Sequence, residues 1–589
     1  MNITQALEII RNSPKGPRPF DVTLACGFTP LHLQTFLAAY LQRALPEREV
    51  KVTPGLFGSL VDTVKECSRN ESPNLVIALE WADLDLRLGY RAFHVWDSGT
   101  VPELIATSEK SLENLLRILE PLATKGRIVL STPTLPIAPI FHTNSWYLSE
   151  SEAVLQAEVR EFERKAIQAG ISVVNEMKLA TLSPSATRYD LKSDLLLGIP
   201  YSLTHADALA QALAQLMHPC TPKKGIITDL DDTLWAGLVG EVGAEGVHWD
   251  LEHHAGLHGH YQMLLASLSY AGVLVGVASK NDPEIVEKAF KRNDILLRSE
   301  RIFPMEVHWH AKSGSVSRIL KAWNISVDAV VFVDDNPAEL AEVAAVHSGI
   351  ECIQFPTRDY AAGLQVLLRL RDLYGKERLR AEDAVRLKSI RASGEFRAEE
   401  GEEISEEFLK QANAVVEFDD RPSEAGARPL ELVNKTNQFN LNGIRYTESE
   451  WRAEASRPDC CFLVVDYRDR FGILGKISVL LGFLDAECLR VRTWVMSCRA
   501  FGRRIEYQCL QTLFERYAIR AIEFELIATE KNGPLRKFMT SLIDARIGQT
   551  AVLTRERFAQ VCPPLYHTTT ETRSSSLDAK NKGPLSEVL

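Results

Sequence analysis

The chain has 589 residues, of which 45% are hydrophobic and 25% are charged, and its formal net charge is −11. This composition is typical of a globular protein with three or four domains, and it excludes a low-complexity or fibrous chain. No apolar run approaches the roughly 20 residues that span a bilayer, and the first residues have no apolar core behind a basic start. We therefore expect no membrane partner and no secretory signal, and the acidic balance argues against a nucleic-acid partner.

The cysteines are sparse for a chain of this length. There are ten of them, and no two form a CxxC pair at zinc-binding spacing. Disulfide scaffolds and structural zinc sites need a denser or more regular pattern. The cysteine usage therefore predicts a reducing, cytoplasmic location.

Residues 1–219 alternate apolar runs with helical patterns. The predicted strands are DVTLACGF, NLVIALEW and GRIVLSTPTLP, which begin at Asp21, Asn74 and Gly126, and LHLQTFLAAYLQRAL and SLENLLRILEPLA are predicted helices. Strands that alternate with helices form parallel sheets covered by helices on both faces. We therefore predict an α/β domain with a doubly wound parallel sheet.

Residues 223–356 contain three apolar segments that each end in polar side chains. The segments are GIITDLDDT, GVLVGVASKND and AVVFVDDNP. Near-continuous apolar runs are typical of strands buried on both faces of a parallel sheet, and ligands bind outside the carboxyl ends of such strands. The polar side chains predicted to meet at that edge are Asp229, Asp231, Ser279, Asp334 and Asp335.

A group of carboxylates at one edge of a sheet needs a cation to neutralise it. All-oxygen ligands favour Mg²⁺, which also suits phosphate-bearing substrates, and Lys312 could supply further positive charge. The alternative is that these carboxylates cap helices at unrelated loops. Three such segments in order, with a lysine between the second and third, favour the shared site.

These residues resemble the four motifs of the haloacid dehalogenase (HAD) phosphotransferase superfamily. The matching positions are a DxDxT string at Asp229, Asp231 and Thr233, followed by Ser279, Lys312 and Asp334. The resemblance implies a Rossmann-like fold and an aspartyl-phosphate mechanism. The gaps between the motifs leave no room for a large inserted cap domain, so we expect a capless HAD domain whose site is open to a bulky substrate.

The resemblance also implies a role for each residue. Asp229 attacks phosphorus, and Asp231 protonates the leaving oxygen and then activates water, while Ser279 and Lys312 hold the phosphoryl oxygens. The Mg²⁺ ligands it implies are Asp229, the backbone carbonyl of Asp231 and Asp334, supported by Asp335. A carboxylate nucleophile needs such a metal and lysine to approach an anionic phosphate.

The string DLDDTLWAGLVGEVGAEGV resembles the FkbH-like branch (subfamily IIIC) of this superfamily more specifically. That resemblance implies loading of a glyceryl unit from 1,3-bisphosphoglycerate onto the phosphopantetheine arm of an acyl carrier protein, with loss of phosphate, in natural-product biosynthesis such as polyketide assembly. The chain departs from the branch at Asp232, where Asn is usual, and at Ala278, where Cys is frequent.

Residues 428–562 contain a strand, a glycine loop and a helix start in TWVMSCRAFGRRIEYQ, which is a geometry that binds phosphate. The loop resembles that of GNAT acyltransferases, which implies an α+β GNAT-like domain that holds coenzyme A or phosphopantetheine. Cys498 lies beside the loop as a candidate acyl acceptor, or as a buried structural cysteine. A scaffold or carrier-docking module is the alternative for the domain. The candidate cofactor-binding residues are Arg499, Gly502, Arg504 and Asn532.

The remaining segments carry fewer signals. Residues 1–219 resemble a divergent SGNH-hydrolase-like domain, but Cys26 stands at the expected nucleophile turn and YDLKSD lacks the histidine, so we expect a degenerate binding domain. Residues 357–427 are predicted as a helical, charged linker and residues 563–589 as a disordered tail. His254 and His258 could share a helix face and bind metal, although surface histidines are the default.

The predicted function is that of a Mg²⁺-dependent enzyme that dephosphorylates a phosphorylated small acid and passes the acyl unit to a carrier protein. Two alternatives stay open: a HAD phosphatase that acts on a phosphate ester and uses its flanking domains for docking, and a non-catalytic adaptor that binds a carrier protein.

Overall fold

A computed structural model describes residues 1–16, 19–69, 73–93, 98–141, 143–144, 146–376, 406–420, 428–470, 472–497, 500–543 and 551–572. The chain forms two units, residues 1–220 with 447–449, and residues 221–446 with 450–589. We call the parts of the chain that carry the first, second and third sheets described below the first, second and third domains. None of the helices in these ranges is long and apolar enough to cross a membrane.

The first unit is built on a sheet of five parallel strands in the order β2-β1-β3-β4-β5. The strands are β1 Phe20–Ala25, β2 Val50–Pro54, β3 Leu75–Ala78, β4 Ile128–Ser131 and β5 Ser172–Val173. Every residue of β3 and β4 is buried, as expected for central strands covered by helices on both faces. The predicted parallel α/β sheet is confirmed. Its helices are Ile3–Arg11, Leu31–Ala44, Leu60–Cys67, Trp81–Leu84, Val101–Ala123, Glu150–Gln168, Glu176–Leu182, Leu191–Leu197 and Leu203–Met217.

A second five-stranded parallel sheet has the order β10-β9-β6-β7-β8. The strands are β6 Gly225–Thr228, β7 Leu274–Ser279, β8 Ile302–Val307, β9 Val330–Asp334 and β10 Glu351–Gln354. The apolar segments that were predicted as strands form β6, β7 and β9, which are adjacent in the sheet. The helices are Val239–Val242, Gly256–Tyr270, Pro283–Phe290, Lys312–Trp323, Pro337–Val346 and Tyr360–Tyr374.

The helix Tyr360–Tyr374 lies within the segment predicted as a linker, but it packs against the second sheet. Tyr374 is buried, and its hydroxyl donates to the carbonyl of Gly225 at 2.7 Å. Gly363 lies so close to Leu257 that an added Cβ would meet that side chain at 2.5 Å. The predicted boundary at residue 356 is therefore too early, because this amphipathic helix buries its apolar face on the sheet.

The third sheet has seven strands of mixed direction in the order β16-β15-β14-β13-β12-β11-β17. The strands are β11 Val415–Asp419, β12 Cys460–Asp469, β13 Gly472–Asp485, β14 Cys488–Met496, β15 Ala521–Phe524, β16 Ala551–Thr554 and β17 Thr568–Thr572. Strands β11 to β14 form an antiparallel meander, and β14 and β15 run parallel. The helices are Glu406–Gln411, Arg428–Lys435, Glu448–Ala455, Ile505–Tyr517, Gly533–Leu542 and Arg555–Val561.

The start of the predicted disordered tail forms part of this sheet. Thr568–Thr572 pairs in parallel with β11, and its threonines have the β-branched side chains that favour strands. The prediction of disorder is therefore wrong for these residues, because an edge strand needs little apolar surface when its backbone is paired. Residues 573–589 lie outside the described residues.

Candidate active site

The carboxyl ends of β6, β7 and β9 deliver the predicted polar side chains to one edge of the second sheet. Asp229 follows β6, Ser279 ends β7 and Asp334 ends β9. All three side chains are buried, and Asp334 is completely inaccessible. The pairing of β6 with both β7 and β9 is what brings residues so distant in the sequence together.

Asp229, Asp334 and Asp335 offer a group of carboxylate oxygens that suits a divalent cation. One oxygen from each residue lies within 4.8 Å of the others. The buried Oδ1 of Asp229 accepts no aligned hydrogen bond, so it has a lone pair to offer. Hard oxygen donors in a compact group fit Mg²⁺ better than the softer metals that prefer sulfur or imidazole.

Lys312 is the buried cation of this edge. It begins the helix Lys312–Trp323, and its Nζ lies 3.0 Å from Asp229 Oδ1 and 2.6 Å from Asp334 Oδ2. Its side chain is only 5% exposed, so both ion pairs lie in a medium that screens charge poorly. The ammonium group is placed to meet an anionic ligand that approaches Asp229.

Burial and mutual repulsion perturb the protonation of these groups. Burial, reinforced by the neighbouring Asp229 carboxylate, raises the pKa of Asp334 from 3.8 to about 7. Burial likewise raises the pKa of Asp229, although Lys312 acts in the opposite direction. Burial alone would lower the pKa of Lys312, but the two carboxylates together raise it. The site thus carries more negative charge than its burial favours, which is the condition that a bound cation relieves.

The turn after Asp229 is shaped by two further residues of the DxDxT string. Thr233 Oγ1 accepts from the backbone N–H of Asp335 at 3.0 Å, which ties the turn to the end of β9. Asp232 has a left-handed backbone with φ +50°, and its Oδ1 accepts from the N–H of Gly237 at 2.8 Å. Among residues other than glycine, Asn and Asp tolerate this conformation best, so an aspartate fits this position.

The side chain of Asp231 lies outside the group formed by Asp229, Asp334 and Asp335. Its Oδ1 accepts from Trp235 Nε1 at 2.8 Å and from the N–H of Val239 at 3.1 Å. Its Oδ2 accepts from Asn281 Nδ2 at 3.1 Å. We call residues 235–248, whose ends are joined by the isolated antiparallel bridge between Ala236 and His248, the flap. The predicted set of site residues omitted both partners: Asn281 stands in the polar end of the second apolar segment, whereas only the fold of the flap brings Trp235 to Asp231.

His254 and His258, which could have shared a helix face and bound a metal, do not lie on the same helix. His258 is buried and its Nδ1 lies 3.0 Å from the carbonyl of Thr233, while His254 precedes the helix that begins at Gly256. A different set, His248, Asp250 and His253, offers ligand atoms within 4.8 Å at the surface.

The described residues of the predicted cofactor loop are engaged within the chain. Gly502 has φ +79° and Arg504 has φ +58°, immediately before the helix Ile505–Tyr517. The Arg504 guanidinium donates to Glu406 at 3.2 Å and to the carbonyl of Pro564 at 2.8 Å. Asn532 is fully buried, and its Nδ2 donates to two backbone carbonyls, at 2.8 and 3.1 Å. Cys498 and Arg499 lie outside the described residues.

The parallel strands β14 and β15 pair only at their first residues, Cys488–Val491 with Ala521–Phe524. Beyond that point residues 439–441, which we call the wedge segment, lie between them. Leu441 donates to the carbonyl of Trp494 and accepts from the N–H of Ile527, at 3.0 and 3.1 Å. The opening between the two strands is therefore occupied by the chain itself.

The buried polar side chains at the carboxyl edge of the first sheet contact one another or the backbone. The Cys26 thiol is buried and donates to the carbonyl of Phe28, and burial raises its pKa to about 12, so it is not a thiolate nucleophile. Glu80, at the end of β3, accepts from Thr134 Oγ1 at 2.6 Å and from the Tyr201 hydroxyl at 2.7 Å. His205 contacts the same Thr134 hydroxyl at 2.9 Å.

No protein-family model and no curated protein sequence matches the chain. Among solved structures, it is similar to the N-terminal part of the protein BF1531 from Bacteroides fragilis, which contains a phosphatase domain complexed with Mg. The two sequences are 16% identical, and the match covers 64% of this chain and 100% of that chain with a TM-score of 0.49. An extracellular lipase from Streptomyces rimosus matches with 12% identity over 33% of this chain and 100% of that chain, with a TM-score of 0.22. Identities and scores this low establish no family for the chain.

Proposed function

We propose that the second domain is a Mg²⁺-dependent enzyme of the HAD type that acts on a phosphorylated substrate. The observation that carries this proposal is the buried group of Asp229, Asp334 and Asp335 with Lys312 at 3.0 and 2.6 Å from two of them. Such a group costs folding energy unless it binds a cation and an anion together.

The proposed chemistry begins at Asp229. Its carboxylate oxygen forms a bond to phosphorus, and the bond from phosphorus to the leaving oxygen breaks with its electron pair. Lys312 and the Ser279 hydroxyl hold the phosphoryl oxygens, and Asp231 exchanges a proton with the leaving group and later with water. The carboxylates of Asp229, Asp334 and Asp335 and the carbonyl of Asp231 would hold Mg²⁺, which would supply the positive charge that lets two anions meet.

The finer proposal is that the substrate is a phosphorylated small acid whose acyl unit passes to a phosphopantetheinyl carrier protein. That reaction takes the place of the attack by Asp229 on phosphorus: the carrier thiolate attacks the acyl carbon, the carbon–oxygen bond to phosphate breaks, and Lys312 and Ser279 hold the phosphate that leaves. Support comes from the resemblance of DLDDTLWAGLVGEVG to glyceryl-loading proteins. The third domain, with its acyltransferase-like strand, loop and helix, would then dock the carrier.

A second candidate is a phosphatase that acts on a phosphate ester. Two observations favour it. The first is the buried methyl group of Ala278, at a position where glyceryl-loading proteins often have a cysteine acceptor. The second is the wedge segment, which fills the opening between β14 and β15, where an extended thioester arm would otherwise enter.

Intact-mass spectrometry tests these proposals together. The protein is incubated with Mg²⁺, a panel of pantetheinylated carriers and 1,3-bisphosphoglycerate generated in place, while phosphate is monitored. A glyceryl-sized gain on a carrier would support acyl transfer. Phosphate release without a gain would favour the phosphatase, and a carrier complex without turnover would point to an adaptor.

Asp229→Asn is the decisive variant for the nucleophile. The amide keeps the shape of the side chain but is a poor nucleophile and a weaker metal ligand, so phosphate release should fall by on the order of 10³-fold or more. The melting temperature should change little. Substantial remaining turnover would remove Asp229 as the nucleophile.

A further inference from the structure

Asn281 contacts both Ser279, the proposed phosphate-binding residue, and Asp231, the proposed proton donor and acceptor. Its side-chain Nδ2 lies 3.1 Å from Ser279 Oγ and 3.1 Å from Asp231 Oδ2. A primary amide has two N–H groups, so it can donate to both oxygens at once. The residue is only 3% exposed, which fixes its side chain between the end of β7 and the turn after β6.

The contact with Ser279 decides where the hydroxyl proton points. A hydroxyl has one proton to donate and two lone pairs. Because Ser279 Oγ accepts from Asn281, its own proton is directed away from the amide. Asp229 is a polar neighbour on that side, because a hydrogen bond from the Ser279 hydroxyl acts to lower the pKa of the Asp229 carboxyl. A phosphoryl oxygen in front of Asp229 would receive the same proton.

The contact with Asp231 selects one of its two oxygens. Oδ1 takes both donors from the flap, the Trp235 indole and the Val239 N–H. That leaves Oδ2 as the oxygen that can exchange a proton with substrate or water, and Asn281 is the group that contacts it. The orientation of Oδ2 therefore depends on a residue outside the flap.

We propose that Asn281 is a positioning residue that orients the proton-exchanging oxygen of Asp231 and the phosphate-binding hydroxyl of Ser279 together. The inference rests on the proposed function. In the first step the Asp229–phosphorus bond forms, the bond to the leaving oxygen breaks, and that oxygen takes the proton from Asp231 Oδ2. In the second step water attacks phosphorus and gives its proton to Oδ2. The bond between Asp229 and phosphorus breaks, which frees phosphate and restores the Asp229 carboxylate.

The test compares substrates that differ in their need for a proton. Phenyl phosphate has a basic leaving group, whereas acetyl phosphate and 2,4-dinitrophenyl phosphate leave as stable anions. General acid catalysis contributes about 10²–10⁴-fold where it is needed. We expect Asn281→Ala to lower kcat/KM, which reports the steps through departure of the leaving group, by roughly 10- to 100-fold more for phenyl phosphate than for the other two substrates. Hydrolysis of the phosphorylated Asp229 is common to all three substrates and does not enter this comparison.

Asp282→Ala is the matched control. Asp282 is the exposed neighbour of Asn281, and its side chain caps the helix Pro283–Phe290 by accepting from Glu284 N–H at 2.9 Å. This variant loosens the same segment without touching Asp231 or Ser279, so the ratio of its kcat/KM values between substrates should match the wild type. Thermal melting of both variants measures their stability.

Three outcomes separate the claims. A selective loss on phenyl phosphate in Asn281→Ala, absent in Asp282→Ala, is the expected result. An equal loss on all three substrates, or no loss, would overturn the positioning role while leaving the proposed function intact. A wild-type protein with no Asp229-dependent turnover of any of the three would overturn the proposed function and this inference with it.

Discussion

Asp232 shows how one residue sets the shape of the turn that follows Asp229. Its left-handed backbone costs most residues about 1 kcal/mol or more, but the short polar side chain offsets this by accepting from Gly237 N–H. The carboxylate also adds negative charge near Asp335, whose pKa is raised by burial first and then by Asp229 and Asp232. An amide would keep the hydrogen bond without the charge.

Two substitutions at this position should therefore behave differently. Asp232→Asn should leave the melting temperature within about 1 °C of the wild type or raise it. Asp232→Ala removes the acceptor and keeps the strained backbone, so it should cost about 1–2 kcal/mol of unfolding free energy. Thermal melts of the pair measure this, and equal stability of the two variants would contradict the role given to the side chain.

The residues of the site divide into those that a sequence can predict and those that it cannot. Asp229, Ser279 and Asp334 end buried apolar strands, and parallel strands place their carboxyl ends together. Asn281 lies two residues beyond the end of β7 and so shares this signal, but nothing in the sequence links it to Asp231, and Trp235 carries no such signal. Their partner is Asp231, and which oxygen each one meets depends on the path of the flap, which no local pattern specifies.

At the scale of elements, long apolar strands were predictable and short edge strands were not. β7 is buried along its whole length, whereas β5 has two residues and β17 is a run of threonines and one glutamate. Edge strands are specified by the neighbour they pair with, so composition alone does not reveal them. The same limit explains why the start of the third domain and its last strand were assigned to a linker and a tail.

A pair of truncations tests the last strand. The chain ending at residue 572 keeps β17, and the chain ending at residue 562 loses it together with His567, whose Nε2 lies 2.8 Å from the carbonyl of Arg503. Because β17 covers the edge of β11, the shorter chain should melt roughly 4 °C or more lower and should aggregate more readily. Equal melting and solubility of the two chains would show that the pairing contributes nothing.

At the scale of the whole molecule, the charge of the proposed Mg²⁺ site should couple stability to pH and to Mg²⁺. The native state raises the pKa of Asp334 to about 7 from 3.8. Between these values the native state binds more protons than the unfolded chain, so stability contributed by this group falls as the pH rises. A cation that replaces the proton should restore it.

Mg²⁺ should therefore raise the melting temperature more at pH 8 than at pH 5, by roughly 3 °C or more. Calorimetry of the full chain with Mg²⁺ or with a chelator at both pH values measures the difference. Asp334→Asn cannot ionise and is a weaker ligand, so it should abolish most of the Mg²⁺ effect at either pH. A Mg²⁺ effect that is independent of pH would contradict this assignment of the site.

The wedge segment has a consequence for how the third domain exchanges its amide hydrogens. The N–H groups of Leu441, Met496 and Ile527 are all bonded where the wedge segment meets its neighbours, so they should exchange slowly in the absence of any small molecule or carrier. An extended thioester arm that entered between β14 and β15 would have to break these bonds, and deuterium uptake at these amides would then rise. A carrier that docks on the outer surface would leave their exchange unchanged, so hydrogen–deuterium exchange distinguishes the two modes of binding without any measurement of catalysis.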